Sequence, residues 1–334
     1  MNHISAGIAF TGSGSAAPAA TLDNATLSQR VETSDEWIHS RTGMRDRRIA
    51  GPQETLAELA ALAGERALAM AGITAVELDL IVLATSTPDD LFGSAVSVQH
   101  ALGATRAVAF DLTAACSGFV FGMATAAQFL RTGTYRNCLL LGADVLSRWV
   151  DWDDRRTCVL FGDGAGAVVM QAVEPARDRL LGFELRSDGT LNHTLNLGFV
   201  GEAQPLAGDL TYASGSYRSI SMNGREVYRF AVERVPEVIS KALFRSQLLP
   251  EQLDWLLLHQ ANQRIMDAVA ARLKLAPEQV ISNIPRYGNT SAASIPLALD
   301  EYVRTGKVTP GHAIAAAGFG AGLTWGAAIF RWGP

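Results

Sequence analysis

The chain has 334 residues, of which 48% are hydrophobic and 18% are charged, and its formal net charge at pH 7 is −5. This composition is typical of a globular protein with a large core and argues against a disordered or fibrous protein. No basic run indicates nucleic-acid binding, and no apolar stretch approaches the roughly 20 residues of a membrane-spanning helix. Residues 1–10 lack the pattern of a secretion signal, so we expect a cytoplasmic protein.

Short apolar runs predict strands, and helical periodicity predicts the helices between them. In chain order we predict a helix over 56–71, strands over 80–84 and 107–111, a helix over 118–131, strands over 138–141 and 165–170, a helix over 224–243, a strand over 255–258, helices over 263–273 and 294–305, and strands over 313–317 and 326–330. Alternating elements of this kind predict a mainly parallel, helix-covered sheet.

Two pairs of segments suggest an internal repeat. Residues 76–83 (VELDLIVL) resemble 251–258 (EQLDWLLL), and FLRTG at 129–133 resembles YVRTG at 302–306. Asp79 precedes Arg131 by 52 residues and Asp254 precedes Arg304 by 50. This near-equal spacing predicts a duplicated α/β unit. We place one half at 1–175 and the other at 176–334.

The repeat gives three residues matching or facing positions. Cys116 and Asn289 each lie 15 residues before the matched arginine, just ahead of a helix. His259 follows a predicted strand, and ligands of open parallel sheets bind beyond the carboxyl ends of the strands. If the halves face each other across a pseudo-twofold axis, these three side chains come together.

Cys116 is the candidate nucleophile. Cys138 and Cys158 lie in apolar runs and are expected to be small buried side chains. Three cysteines without a CxxC pair favour neither a disulfide framework nor a zinc site. Cys116 instead lies between a strand and a helix, in Ala-Ala-Cys-Ser-Gly. There the helix dipole favours a thiolate, and free amides can help to form an oxyanion hole.

His259 and Asn289 each allow a structural and a catalytic interpretation. A histidine after an apolar strand can be a satisfied core residue, a proton carrier or a hydrogen-bond donor. Asn289, in Gly-Asn-Thr-Ser, can form a turn before a helix or direct its amide at a developing enolate. The glycine-rich segments 161–166 and 318–322 do not match nucleotide-binding loops, and they indicate tight packing or a backbone wall beside a nucleophile.

Taken together, these motifs resemble those of the β-ketoacyl-[acyl carrier protein] synthase III family of the thiolase superfamily. The resemblance covers almost the whole chain and depends on residues 33–38 with 41–43, 113–118, 161–166, 259–262, 288–294 and 318–322. It implies an α/β fold of two thiolase-like halves in five layers, α-β-α-β-α. It also implies that Cys116 takes an acyl group from acyl-CoA, acetyl-CoA above all. His259 and Asn289 would then promote decarboxylation of malonyl-acyl carrier protein, giving the 3-oxoacyl product that starts fatty-acid synthesis without a metal or redox cofactor.

The resemblance also implies the substrate contacts. The amides of Cys116 and Gly320 would hold the oxyanion, and Phe92 of a second subunit would close the acyl pocket, which implies a homodimer. Residues Thr33, Trp37, Arg41, Arg155, Asn262 and Phe319 would contact CoA or the malonyl site, with Trp37 and Arg155 enclosing the adenine.

The acyl carrier protein is acidic, so we expect a basic docking surface. Candidates are Arg264, Arg272 and Lys274 around one predicted helix, with Arg229 and Arg225 on another. The sequence departs from the family pattern at four positions beside the CoA contacts, where other residues are expected: Trp149, Trp152, Arg156 and Arg225.

Three alternatives remain open at this point. A related type III enzyme that makes a polyketide or alkylquinolone starter would carry the same motifs, because primer size depends on the pocket floor. A Cys-His-Asn hydrolase would need neither CoA nor a carrier protein. A non-catalytic thiolase-fold interaction protein would not need the three residues together.

Overall fold

The structure is a computed structural model that describes residues 6–334. Residues 1–5, which belong to the stretch considered for a secretion signal, lie outside the described residues. Within residues 6–334, no helix combines the length and the apolar character needed to cross a membrane.

In the described part of the chain, the strands are β1 (Gly7–Ala16), β2 (Thr21–Asp23), β3 (Asp46–Arg48), β4 (Leu80–Ala84), β5 (Val108–Leu112), β6 (Asn137–Val145), β7 (Asp163–Val173), β8 (Leu180–Ser187), β9 (Leu195–Asn196), β10 (Phe199–Ala207), β11 (Leu210–Tyr217), β12 (Ser221–Met222), β13 (Trp255–Leu258), β14 (Val280–Ile281), β15 (Ala313–Gly320) and β16 (Thr324–Arg331). The α-helices are α1 (Asn24–Leu27), α2 (Asp35–Thr42), α3 (Leu56–Ala71), α4 (Ala95–Leu102), α5 (Gly118–Arg131), α6 (Gly224–Ser246), α7 (Gln263–Leu273), α8 (Ile284–Tyr287) and α9 (Ser294–Arg304).

Two five-stranded sheets have the same strand order. The first is β1-β7-β6-β4-β5, and the second, taken in the same direction, is β8-β16-β15-β13-β14. Each strand of the first sheet therefore has a counterpart in the second. Even the connecting bonds repeat, because a carboxylate oxygen of Asp79 accepts from the amide of Asn137 and one of Asp254 accepts from the amide of Ala313. The predicted duplication is confirmed.

The sheets are mixed, and the prediction of a mainly parallel sheet is wrong. In each sheet two pairs are parallel, β4 with β5 and β6, and β13 with β14 and β15. The other two pairs are antiparallel. β15 and β16 are joined by a tight glycine-rich turn, which suits an antiparallel pair because no crossover helix is needed.

The layers follow the order α-β-α-β-α. α3 packs on the outer face of the first sheet with α4 beside it, α5 and α9 lie between the sheets, and α6 packs on the outer face of the second sheet with α7 beside it. Three apolar clusters fill the spaces between these layers. β7 ends at Val173 and β8 begins at Leu180, and the division of the halves at residue 175 stays a prediction.

Candidate active site

Cys116 lies in a tight turn between β5 and α5. The turn is a short 3-10 helix, Ala115–Ser117, and its first residue has a left-handed backbone with φ of 47°. Non-glycine residues rarely adopt this conformation, and such strain is concentrated at functional turns. Cys116 is buried, with 8% of its surface exposed. Cys138 and Cys158 are fully buried among apolar residues, as predicted.

Two glycines of β15 lie directly against this turn. A Cβ at Gly320 would lie 2.6 Å from the amide nitrogen of Cys116, and a Cβ at Gly318 would lie 3.0 Å from its carbonyl oxygen. Only glycine fits at such distances. The absence of a side chain at residue 320 therefore leaves the Cys116 amide uncovered on that side.

His259 follows β13 and is held at two points. Its amide donates to the carbonyl of Ala317 at 2.8 Å, and its Nδ1 lies 2.7 Å from the hydroxyl of Ser294. The ring of Phe319 meets the imidazole edge to face, with centroids 5.5 Å apart. Burial lowers the pKa of His259 to about 3, so the ring is neutral near neutral pH.

Asn289 is fixed by its backbone and by its side-chain oxygen. Its amide donates to Leu160 O at 2.9 Å, and its carbonyl accepts from Gly162 at 3.0 Å. Its Oδ1 accepts from the amide of Ser291 at 2.9 Å. No residue within 6–334 accepts a hydrogen bond from its Nδ2. The side-chain amide therefore keeps its donor for a ligand.

The three predicted residues are linked through the turn that contains Ser291. Ser291 lies two residues after Asn289, and its side chain acts to lower the pKa of the Cys116 thiol. Ser294, three residues further on, holds His259. The structure thus joins Cys116, His259 and Asn289 through one short segment of the second half.

The thiol of Cys116 is not activated by its environment in the way the sequence suggested. Burial raises its pKa to about 12, and the charge of Asp144 adds to that effect, while the Ser291 hydrogen bond opposes it. The expected preference for a thiolate at the helix N-terminus is therefore outweighed by desolvation in the free enzyme.

The repeat had aligned Cys116 with Asn289, and the structure corrects that alignment by three residues. The 3-10 helix Ser291–Ala293 precedes α9 just as Ala115–Ser117 precedes α5, and both begin with a left-handed residue, φ 51° and 47°. Ala292 is therefore the counterpart of Cys116. The count from the arginines failed because α9 has 11 residues and α5 has 14.

The predicted adenine contacts are adjacent at the surface. The guanidinium of Arg155 lies 5.3 Å from the centre of the Trp37 ring, and it also donates to the carbonyl of Glu32 at 2.6 Å. The hydroxyl of Thr33 is buried and has no hydrogen-bond partner among residues 6–334. Arg41 is exposed, with its side chain on the surface.

Asn262 has a structural role at this edge. Its Oδ1 accepts from the amide of Arg264 and so caps α7, and its Nδ2 donates to the carbonyl of Arg41 at 3.1 Å. Each polar atom makes one of these bonds, so the second N–H of Nδ2 and the second lone pair of Oδ1 remain for a pantetheine contact.

Three of the four departures from the family pattern, Trp149, Trp152 and Arg156, make local contacts. Trp149 packs edge to face on Tyr217 at 6.2 Å, and the indole of Trp152 donates to the carbonyl of Ser147. Arg156 pairs with Asp154 at 2.9 Å. These contacts leave Arg155 as the residue of this segment that faces Trp37.

Phe92 projects from the loop before α4 and is 97% exposed. The next residues anchor this loop to the strand that leads to Cys116, because the amides of Ser94 and Ala95 donate to the carboxylate of Asp111 at 2.7–3.0 Å. Within one chain, Phe92 does not reach the site.

The basic residues divide into two groups. Arg264 lies over the ring of Tyr228, at 5.8 Å, beside the exposed start of α6 that carries Arg225 and Arg229. Arg272, at the other end of α7, lines a groove that also contains Glu233 and Glu237, and Lys274 follows it. The lining also contains Glu184 and the basic side chains Arg186, Lys241 and Arg245, so acidic and basic charges nearly balance and the groove attracts an acidic partner only weakly.

Three residues around the site were not assigned from the sequence: Ser291, Ser294 and Asp144. The serines were visible only as part of a motif. Asp144 lies inside an apolar strand and is fully buried. A fully buried aspartate is rare, and that rarity was the available signal. No group of His, Cys, Asp and Glu suited to hold a metal occurs among residues 6–334.

The duplicated five-layer fold with a cysteine, a histidine and an asparagine in adjoining turns defines a thiolase-like condensing enzyme. Two sequence profiles described as 3-oxoacyl-[acyl-carrier-protein] synthase III match residues 110–189 and, for the C-terminal profile, 243–332. The chain is 68% identical over 332 residues to a β-ketoacyl-[acyl-carrier-protein] synthase III from Acaryochloris marina, with 99% of each chain covered. The chain belongs to the 3-oxoacyl-[acyl-carrier-protein] synthase III family.

Solved structures agree with this assignment. A crystal structure of 3-oxoacyl-[acyl-carrier-protein] synthase III from Aquifex aeolicus superposes with a TM-score of 0.89 at 42% identity, covering 98% of this chain and 100% of that one. The priming β-ketosynthase of the R1128 polyketide pathway gives a TM-score of 0.90 at 33% identity, covering 98% and 97%. The protein is therefore an acyl-transferring condensing enzyme.

Proposed function

We propose that the protein condenses an acyl-CoA primer, acetyl-CoA above all, with malonyl-acyl carrier protein to start fatty-acid synthesis. The observation that carries this proposal is the combination of a buried thiol with two neutral hydrogen-bond donors, the Nδ2 of Asn289 and the imidazole of His259. We further propose that the reaction takes place in the cytoplasm and that the chain requires no cofactor of its own.

In the first half-reaction, the sulfur of Cys116 attacks the thioester carbonyl of acyl-CoA. The negative charge that develops on the carbonyl oxygen is held by the amides of Cys116 and Gly320, which are expected to face the same point. Collapse of this intermediate breaks the carbon–sulfur bond to CoA. The thiol proton ends on the departing CoA sulfur, and Cys116 carries the acyl group.

In the second half-reaction, the malonyl thioester loses carbon dioxide and its electron pair moves into a thioester enolate. Asn289 and His259 donate hydrogen bonds to the enolate oxygen. A neutral imidazole stabilises this charge without protonating the carbanion, since its pKa of about 3 keeps it from carrying an acidic proton at neutral pH. The carbanion attacks the acyl-Cys116 carbonyl and the cysteine sulfur leaves, then takes up a proton.

The CoA site we propose requires a small movement at the surface. Arg155 and Trp37 touch each other at 5.3 Å, which leaves no space for a ring between them. Adenine binding would move the guanidinium off the indole and place the base between the two, where both faces are stacked. The unpartnered hydroxyl of Thr33 and the exposed side chain of Arg41 would contact the nucleotide part, and Phe319 would line the malonyl site beside His259.

We propose that the enzyme works as a homodimer whose partner copy closes the acyl pocket with Phe92. An aromatic side chain that is 97% exposed, next to Leu91 at 79%, is typical of an interaction surface. The carrier protein would dock on Arg264 together with Arg225 and Arg229, with Arg272 and Lys274 as the more distant candidates.

The test is a two-step assay with labelled acetyl-CoA and malonyl-acyl carrier protein. We expect the label on Cys116, detected by mass, and then release of carbon dioxide and formation of 3-oxobutyryl-carrier protein. The Cys116→Ala variant should take up no label. Label retained on that variant, or free acid formed without any carrier protein, would favour a hydrolase instead. A panel of primers from C2 to C10, including branched ones, separates a fatty-acid enzyme from a polyketide-priming one.

A further inference from the structure

Asp144 of the first half and Gly320 of the second occupy equivalent positions, but they differ in residue type. Leu80 pairs with Cys138, and its counterpart Trp255 pairs with Ile314. Six residues after these partners lie Asp144 in β6 and Gly320 in β15. Asp144 and Gly320 are therefore counterparts, as are Cys116 and Ala292.

The same turn is packed in the same way in each half. A Cβ at Gly318 would lie 3.0 Å from the carbonyl of Cys116, and a Cβ at its counterpart Gly142 would lie 2.2 Å from the carbonyl of Ala292. In the second sheet, Gly320 leaves the Cys116 amide uncovered. In the first sheet, the Oδ2 of Asp144 accepts a hydrogen bond from the Ala292 amide at 3.1 Å. A carboxylate thus binds the amide that corresponds to the proposed oxyanion donor.

Asp144 has hydrogen-bond donors on both sides. On the side of its own half, Oδ1 accepts from the amide of Ser86 at 2.8 Å and from the hydroxyls of Thr87 at 2.9 Å and Thr85 at 3.2 Å. On the other side it meets Ala292 and the side chain of Ser291. It is 0% exposed, and no cationic side chain among residues 6–334 bonds to it. A carboxylate held in the core by dipoles alone is costly to bury unless every oxygen is satisfied.

We propose that Asp144 is a positioning residue for the condensation, because it ties residues 289–294 of the second half to β6 and to residues 85–87 of the first half. This segment carries Asn289, the Ser291 that touches the thiol, and the Ser294 that holds His259. Only the kinetic part of this proposal rests on the proposed function. Asp144 does not touch substrate. It acts by fixing where the two enolate donors stand.

The test compares Asp144→Asn with a matched control, Asp300→Asn. Asp300 is also buried, and it accepts from the hydroxyls of Ser13 and Ser15 and from the guanidinium of Arg304, none of which belongs to the site. A carboxamide at residue 144 keeps the shape but turns an NH₂ group toward a donor. Since misplacement of reacting groups by about 1 Å costs about 100-fold, we expect condensation kcat to fall about 100-fold in Asp144→Asn, with KM for acetyl-CoA within about twofold of the wild type.

The loss should lie in one half-reaction. Acylation of Cys116 should persist, and carbon dioxide release from malonyl-carrier protein should fall. The control should lose a similar amount of thermal stability and keep kcat within about threefold. An Asp144→Asn variant whose kcat falls no further than that of the control would overturn the proposal.

Two further measurements test the proposal even if Asp144→Asn misfolds or the proposed function is wrong. Ser291→Ala removes a hydroxyl that lowers the pKa values of both Asp144 and the Cys116 thiol, and we expect about tenfold lower kcat at unchanged KM, non-additive with Asp144→Asn. Additive losses of kcat in the double variant would contradict the inference that Asp144 and Ser291 act on the site together. Without any substrate, the backbone amides of residues 289–294 should exchange with deuterium severalfold faster in Asp144→Asn than in either wild type or control. A wild type that fails to condense, with this difference present, would overturn the proposed function and support the positioning role of Asp144. A wild type that condenses, with the difference absent, would overturn that positioning role.

Discussion

Burial moves the pKa values of the two titratable groups of the site in opposite directions. It lowers the pKa of His259 to about 3 and raises that of Cys116 to about 12, so both groups are uncharged near pH 7. An uncharged pair is inexpensive to bury and suits a site that must stabilise a transient enolate. The thiol of the free enzyme is therefore protonated near neutral pH.

This charge state predicts the reactivity of the free enzyme. The alkylation rate of Cys116 by iodoacetamide should rise with pH through pH 9 without reaching a plateau, because the thiolate is the reacting form and its pKa is raised. A mass-resolved rate profile from pH 6 to 10 measures this. A plateau near pH 7 would mean that the helix dipole governs the thiol after all. Cys116→Ser gives the background from Cys138 and Cys158.

Asn289 should be separable from Cys116 in the two half-reactions. Its oxygen is occupied by Ser291 and its Nδ2 is free, so Asn289→Asp keeps the turn but replaces the donor with a negative charge. We expect decarboxylation of malonyl-carrier protein to fall by about 100-fold to 1,000-fold, while acylation from acetyl-CoA stays within about threefold. Carbon dioxide release and mass on Cys116 measure the two. Decarboxylation at the wild-type rate would remove Asn289 from its proposed role, and a parallel loss of acylation would point to a disturbed turn.

At the scale of single elements, the turn between β15 and β16 shapes the oxyanion position. Gly320→Ala adds a methyl group 2.6 Å from the Cys116 amide, so the turn must shift or the amide is covered. We expect both half-reactions to slow by about 100-fold, since both pass through an oxyanion. Gly189→Ala is the matched control, because nothing lies within 4 Å of its added methyl group. Equal activity of the two variants would exclude the Gly320 region from the oxyanion site.

The helix α7 presents two arginines in different surroundings. Arg264 faces Tyr228 near the site edge, whereas Arg272 lies beside two glutamates. Arg264→Glu should therefore raise KM for malonyl-carrier protein about tenfold and leave KM for acetyl-CoA unchanged. Steady-state kinetics with each substrate varied in turn measure this. A larger effect from Arg272→Glu would move the docking surface to the groove.

The elements that depend on local signals were predicted well. The bounds of α3, α5, α7, β4 and β13 agree with the prediction, since periodicity and end signals are local, as in the Thr55–Glu58 capping box of α3. β1 and β8 were missed because no strong alternation marks them. The exposed hairpin of β10 and β11 was missed although Gly208-Asp209 forms its two-residue turn, a recognised hairpin signal. The antiparallel pairings were missed because pairing direction depends on the path of the loops.

At the scale of the whole molecule, the duplication predicted which residues come together at the candidate site, but it did not predict the contacts that join them. Motifs and spacing predicted that Cys116, His259 and Asn289 come together, and the structure links them through one segment, yet the exact counterpart of Cys116 required the two 3-10 helices to be seen side by side. The contact of Asp144 with Ala292 joins residues 148 apart in sequence. No single-sequence pattern reports such a contact, because it exists only when the two halves pack.

The two copies of a homodimer should share their sites through Phe92. Phe92 lies on the loop before α4, which Asp111 of β5 anchors through the amides of Ser94 and Ala95, and it is 97% exposed, so its ring is available to another subunit. We expect Phe92→Arg to lose primer acylation without losing its fold, since a charge cannot line an acyl pocket.

Cys116→Ala is inactive for a different reason. In a refolded mixture, a mixed dimer pairs an intact Cys116 with a Phe92 supplied by the other chain. Because dimers are symmetric, an equal mixture should recover about a quarter of the wild-type activity. Sedimentation measures the dimer, and an equal mixture that stays inactive while mixed dimers form would show that Phe92 serves its own subunit or none.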